Sequence, residues 1–63
     1  MEKIIPEIGS KITIYTDRGN NRIGTIMKID SDGERATIKI GPTKEINVTL
    51  EYNTSTGKAY ARN

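Results

Sequence analysis

The chain has 63 residues and a formal net charge of +2, and it contains neither cysteine nor histidine. This length predicts one domain, residues 1–63, with a small core. The missing residue types exclude disulfide staples, thiol nucleophiles, Ser-His-Asp triads and Cys/His zinc sites. We therefore expect a non-catalytic protein that uses no metal, cofactor or small-molecule substrate.

The first nine residues, MEKIIPEIG, show no secretion signal and no apolar run of membrane-spanning length. Together with the absence of cysteine, this predicts a soluble, cytoplasmic protein that does not act at a membrane. The charges are uneven, because residues 1–34 carry five basic and six acidic side chains, whereas residues 35–63 carry five basic and two acidic ones. The basic second half favours contact with phosphate groups.

Apolar residues recur at every second position, and the β-branched residues Ile and Thr dominate, as is typical of half-buried strands. The pattern predicts strands over residues 11–16, 22–30, 34–40, 45–52 and 58–62. In the first strand Ile12 and Ile14 share the inward face, and the loop 17–21 contains residues that tolerate positive φ. The second strand has Gly24 and Ile26 on one face and Ile23, Met27 and Ile29 on the other. Its apolar residues on both faces predict a bend at Gly24.

The second and third strands meet at Ser31-Asp32-Gly33, and the Asp-Gly pair predicts a hairpin turn in which both central residues have positive φ. A turn over residues 41–44 precedes the fourth strand, and a polar loop over residues 53–57 precedes the fifth. The predicted inward residues of these last three strands are Ala36, Ile38 and Ile40, then Ile46, Val48, Leu50 and Tyr52, then Ala59 and Ala61.

Five short antiparallel strands with short connections predict an all-β meander that closes into a small barrel. Residues 9–41 resemble the opening of a KOW-type SH3-like barrel. The resemblance is carried by GSKI at 9–12, the loop RGNNR at 18–22 and the strands GTIMKI and ATIKI. It implies a five-stranded SH3-like barrel that binds RNA, the ribosome or a transcription complex, or contacts proteins through the same loop. By position, the contacting residues would be Arg18, Asn20, Asn21 and Arg22, around Gly19 and Gly24.

The second half of the chain adds an aromatic residue among cations. Tyr60 lies between Lys58 and Arg62 on the outward face of the last strand, where a ring can stack on a base while cations contact phosphates. An ordinary barrel surface accounts for the same residues, since tyrosines cover barrel ends and lysines protect strand edges. The predicted nucleic-acid-binding residues are Arg18, Arg22, Lys39, Lys44, Lys58, Tyr60 and Arg62, with loop contacts from Gly19, Asn20 and Asn21.

Two segments imitate ligand-binding motifs and fail on their spacing. Around Gly33, a calcium loop would need acidic ligands at its first and twelfth positions, where Lys28 and Lys39 stand. The segment TSTGK at 54–58 lacks the first glycine of a phosphate-binding loop, and Ala59 replaces the Ser or Thr after the lysine. Both segments are therefore predicted to be polar turns.

The sequence thus predicts a nucleic-acid-binding module, for RNA or DNA, associated with transcription or translation. A second hypothesis is a protein-interaction adaptor or inhibitor, of the phage- or plasmid-regulator type, that uses loop 17–22 and Tyr15. A third is a structural subunit of a larger assembly, which weak homo-oligomerisation would favour.

Overall fold

Five strands form a closed β-barrel in the computed structural model, which describes residues 3–63. The strands are β1 (Lys11–Tyr15), β2 (Arg22–Ile29), β3 (Arg35–Ile40), β4 (Lys44–Tyr52) and β5 (Ala59–Arg62). The all-β prediction and the order of the strands are confirmed, with each boundary within one residue of its expected place. Of the predicted domain, residues 1 and 2 lie outside the described part of the chain.

Consecutive strands pair antiparallel, but β1 and β5 pair parallel and close the barrel. The prediction of a purely antiparallel barrel was therefore wrong. The reason is parity, because strands of a meander alternate in direction and an odd number leaves the first and last running the same way. Only two register pairs, Ile14 with Ala61 and Tyr15 with Arg62, make this closing ladder.

The core lies inside the barrel and is almost entirely aliphatic. Its buried members come from all five strands: Ile12, Ile14, Ile26, Ala36, Ile38, Val48, Leu50 and Ala61. Around it pack the half-buried residues Ile29, Ile40, Ile46, Tyr52 and Ala59. The inward faces that alternation predicted for β1, β3, β4 and β5 are confirmed, because successive side chains of a strand point to opposite faces.

Strand β2 departs from the predicted pattern. Its register shifts between Ile26 and Lys28, so an extra residue, Met27, interrupts the alternation and Ile29 returns to the core side. Ile23 is 65% exposed and does not form a second apolar contact face. The irregularity in the pairing of β2 with β3 is thus a bulge at Met27.

The hairpin between β2 and β3 uses a different turn from the one predicted. Gly33 has a φ of 72°, but no non-glycine residue among residues 3–63 has positive φ, so Asp32 does not adopt the expected conformation. The Gly33 amide donates to the carbonyl of Asp30 at 2.9 Å, and the Asp30 amide donates to the carbonyl of Arg35 at 2.9 Å. A four-residue loop, residues 31–34, with glycine at its third position replaces the two-residue turn.

An arm that precedes β1 covers the β2–β3 turn end of the barrel. The Ile4 amide donates to the carbonyl of Gly57 at 2.9 Å, and the Lys3 ammonium lies 5.0 Å from the centre of the Tyr52 ring. The Tyr52 hydroxyl donates to the carbonyl of Gly33 at 2.6 Å. Burial, followed by the nearby carboxylates of Asp32 and Glu34, raises the pKa of Tyr52. Residues 3–63 contain no helix that is long and apolar enough to cross a membrane.

Candidate nucleic-acid interface

The opposite end of the barrel carries a basic depression of about 240 Å³, which we call the basic end. The β1–β2 loop, the β3–β4 turn and the C-terminal end of β5 meet here, because the order and directions of the strands place all three at the same end of the barrel. Its lining residues are Ile14, Thr16, Arg18, Asn20, Arg22, Ile40, Lys44, Ile46 and Asn63. The structure therefore brings together four of the residues predicted from sequence, Arg18, Asn20, Arg22 and Lys44.

The β1–β2 loop is held in shape by its own hydrogen bonds. The Gly19 amide donates to the carbonyl of Thr16 at 3.0 Å, and Gly19 has a φ of 78° that a glycine adopts without strain. The Thr16 hydroxyl donates to the carbonyl of Asn20 at 3.0 Å and accepts the Asn20 amide at 3.2 Å. Asn21 is exposed but does not line the depression. These bonds position Arg18 and Asn20 beside the mouth of the barrel.

The electrostatics of the basic end are one-sided. Arg18, Arg22 and Lys44 line the depression, and no Asp or Glu side chain lines it with them. Within the described chain the one ion pair joins Arg62 to Glu51, so these three cations have no acidic partner. Asp17, the acidic residue of the same loop, is exposed and lies outside the lining. The arrangement can receive an anionic oxygen without first breaking a salt bridge.

The predicted aromatic and basic residues of β5 are already engaged in the fold. The Tyr60 hydroxyl donates to Glu51 at 2.9 Å, and the Arg62 Nε donates to the same carboxylate at 3.2 Å. The Arg62 guanidinium also lies 6.0 Å from the centre of the Tyr60 ring. The Tyr60 hydroxyl bond and the Arg62 guanidinium lower the pKa of Glu51 against a smaller effect of burial, and the Glu51 contacts raise the pKa of Arg62.

The remaining predicted cations lie apart from one another. Lys39 pairs across the sheet with Glu45, and β4 separates it from Tyr60 and Arg62. Lys58 precedes β5, at the other end of that strand from Arg62. Lys39 therefore does not share a surface patch with Tyr60 and Arg62. Among residues 3–63 there is also no cluster of three acidic side chains placed to hold a metal ion.

A second concavity, a groove of about 360 Å³, lies between β1 and β5, and we call it the seam groove. Lys11, Ile12, Thr13, Tyr15, Ile23, Asn53, Thr56, Lys58, Ala59 and Tyr60 line it. Tyr15 and Tyr60 meet edge to face with their ring centres 5.5 Å apart. The sequence predicted Tyr15 as a protein-contact residue beside loop 17–22, but it did not predict Lys11 as a site residue. Strand alternation places Lys11 on the same face of β1 as Thr13 and Tyr15. Only the pairing of β1 with β5 shows that this face borders a groove.

These two concavities set the chemistry available to the protein. The basic end offers three cations that form no ion pair within residues 3–63, and the seam groove offers two lysines beside a pair of aromatic rings. No protein-family model, curated protein or solved structure matches the chain.

Proposed function

We propose that this protein is a non-catalytic nucleic-acid-binding module, an SH3-like barrel of KOW type, whose basic end contacts the phosphate backbone of RNA or DNA. The observation that carries the proposal is the convergence of Arg18, Arg22 and Lys44 around one depression that no Asp or Glu side chain lines. In the order of the chain, the three cations come from a loop and from the first residues of two strands. These cations are separated in sequence, and the closed barrel brings them to one end.

The chemistry of the three cations fits phosphate. Guanidinium groups donate in a planar fork that matches phosphate oxygens, and an ammonium group adds a compact charge. Asn20 supplies an amide that can donate to a sugar or phosphate oxygen in the same depression. The resemblance of residues 9–41 to KOW-type barrels supports the same loop as the contact region.

The proposal predicts a salt-dependent affinity. Three neutralised phosphates give a slope of log K against log salt of about −2.7 for duplex DNA and about −2.1 for single strands. The test is a fluorescence-anisotropy titration of labelled single-stranded RNA and duplex DNA, from low to near-physiological salt. In the double variant Arg22→Gln, Lys44→Gln we expect weaker binding and a slope smaller in magnitude by about 2.

A matched control separates the basic end from the net charge. The double variant Lys28→Gln, Arg35→Gln also removes two positive charges, but from exposed positions of β2 and β3 at the end of the barrel opposite the basic end. We expect this control to keep most of the affinity and nearly the whole salt slope. Equal losses in both double variants would contradict a localised site, and no binding to either nucleic acid at low salt would refute the proposed function.

A protein-interaction role, as an adaptor or inhibitor, is the second candidate. It is favoured by the exposure of large apolar side chains beside the β1–β2 loop, where Ile23 is 65% and Tyr15 is 37% exposed. Its interface would combine residues 17–22 with Tyr15. If the protein binds neither RNA nor DNA at low salt, protein interaction becomes the preferred function. Self-association in sedimentation velocity at micromolar concentration would favour the third, a structural subunit.

A further inference from the structure

We infer that the seam groove accepts an unstacked base, so that this protein selects single-stranded over duplex nucleic acid. The inference rests on the proposed function and deepens it, since the basic end alone would bind the phosphates of either form. It depends on three features of the groove: where the barrel ladder stops, how the two tyrosine rings are held, and which charges line the groove.

The groove exists because the closing ladder is short. Strands β1 and β5 pair at positions 14 with 61 and 15 with 62, and the ladder does not continue toward Lys11 and Ala59. The groove lies between those two unpaired stretches and is closed at its far side by Asn53 and Thr56 of the β4–β5 loop. A concavity that is part of the barrel wall keeps its shape when no ligand is bound, which lowers the ordering cost of binding.

Within the groove, Tyr15 is the ring available for stacking and Tyr60 is its support. Tyr60 is fixed by Glu51 through its hydroxyl, by the Arg62 guanidinium and by the edge-to-face contact with Tyr15. Tyr15 has only that aromatic contact, forms no side-chain hydrogen bond within residues 3–63, and is 37% exposed. In an edge-to-face pair at least one face of each ring is left free by the pair itself, so Tyr15 can offer a face to a base.

The surroundings of Tyr15 fit a base attached to a phosphate chain. Ile23, from the neighbouring strand, is 65% exposed and adds an apolar contact for the base edge. Lys11 and Lys58 are exposed at the groove, and no carboxylate lines it. Tyr15 and Ile23 line the groove, while their chain neighbours Thr16 and Arg22 line the basic end. One short nucleic-acid strand can therefore contact both concavities.

The alternative occupant, an apolar peptide, fits these charges less well. Two lysines without a carboxylate favour an anionic chain, and stacking on an aromatic face is shared by every base. A duplex keeps its bases paired and stacked inside, so it cannot place one in the groove. The geometry thus points to single strands of either RNA or DNA with little sequence preference.

The experiment compares two single-stranded probes that differ only in their bases: a labelled oligothymidylate and an abasic oligomer of the same length and charge. We expect the wild-type protein to bind the oligothymidylate about 5-fold to about 150-fold more tightly for one stacked base. In Tyr15→Leu this ratio should fall toward one while the affinity for the abasic oligomer is unchanged. Tyr15→Phe, which keeps the ring, should preserve the ratio.

Each outcome separates the two proposals. Equal affinities of the wild-type protein for both probes would overturn the inference and leave phosphate binding intact, whereas no binding of either probe at low salt would refute the proposed function itself. If Tyr15→Leu does not fold, the wild-type protein still decides the question by NMR. The ring protons of Tyr15 should shift upfield with oligothymidylate and not with the abasic oligomer, and an unshifted ring would contradict the inference.

Discussion

At the scale of single residues, Gly24 shows how closely the barrel walls approach. A Cβ atom at this position would overlap Cγ2 of Ile38 and lie 3.0 Å from the carbonyl oxygen of Lys39. Ile38 is fully buried and lies on the strand next to β2, so it has little room to move. Gly24 is required here for space and not for backbone conformation, in contrast to Gly19 and Gly33.

We expect Gly24→Ala to lower the free energy of unfolding by about 1–3 kcal/mol, because the added methyl group overpacks the core. Urea denaturation of a double-mutant cycle with Ile38→Leu tests the cause. Leucine lacks the β-branch that carries Cγ2, so the loss caused by Gly24→Ala should be smaller in the Ile38→Leu background. The same loss in both backgrounds would show that Ile38 is not the obstacle.

At the scale of elements, β4 and β5 are joined on their outer face by one carboxylate. Glu51 accepts hydrogen bonds from Tyr60 and from Arg62, and these contacts lower its pKa. A carboxyl group whose pKa falls on folding stabilises the protein above its ordinary pKa, and that contribution is lost as the pH falls through the lowered value. The β4–β5 pair is thus sensitive to acid.

We therefore expect Glu51→Gln to reduce the thermal stability at neutral pH and to make it less dependent on pH in the acidic range. The measurement is the melting temperature of the wild type and the variant from neutral pH to below the usual glutamate range. Glu45→Gln is the control, since it removes an exposed carboxylate from the same strand. A wild-type acid transition that matches that of Glu51→Gln would contradict this role.

Strand alternation made much of the fold predictable, because the inward residues Ile12, Ile38 and Leu50 each follow from period two. The bulge at Met27 could not be predicted, since nothing local distinguishes that position from a regular strand residue. The Glu51 contacts could not be predicted either, because they depend on the β4–β5 register, which pairs Glu51 with Tyr60. The sequence predicted Arg18, Arg22 and Lys44 as site residues but did not predict that they line one depression. That grouping depends on the β1–β2 loop and the β3–β4 turn lying at the same end of the barrel.

At the scale of the whole molecule, the two ends of the barrel differ in how their charges are arranged. The basic end is lined by Arg18, Arg22 and Lys44 without an Asp or Glu side chain, whereas the β2–β3 end carries Asp30, Asp32 and Glu34 together with Lys28 and Arg35. A polyanion is therefore attracted to the basic end before any contact forms, which orients the encounter. The small net charge of +2 understates the field at the basic end.

The arm that precedes β1 gives a test of stability that should leave the binding of duplex DNA unchanged. Ile4→Pro removes the amide that donates to Gly57, and we expect a loss of about 1 kcal/mol in the free energy of unfolding. The affinity for duplex DNA should stay at the wild-type value, because a duplex contacts the basic end, which lies at the other end of the barrel from Ile4. A fall in affinity in step with stability would contradict this separation.

A second proline in the same arm is the matched comparison. The Ser10 amide donates to the carbonyl of Glu7 at 3.1 Å, and Gly9 has a φ of 93°, which makes Ile8 the second residue of a turn that accepts proline. Ile8→Pro should therefore be neutral or stabilise the fold by about 0.4–1 kcal/mol. A loss like that of Ile4→Pro would mean that the arm rejects proline in general.

The two-pair ladder between β1 and β5 also bears on how the chain folds. Every other strand contact joins neighbours in sequence, whereas this one joins positions 14 and 61. Contacts of low sequence separation carry a smaller loop-closure entropy, so the meander can assemble as an open sheet before its first and last strands meet. We therefore expect ring closure to come late in folding. A nucleic-acid strand bound across the β1–β5 junction would stabilise the closed barrel relative to the open sheet.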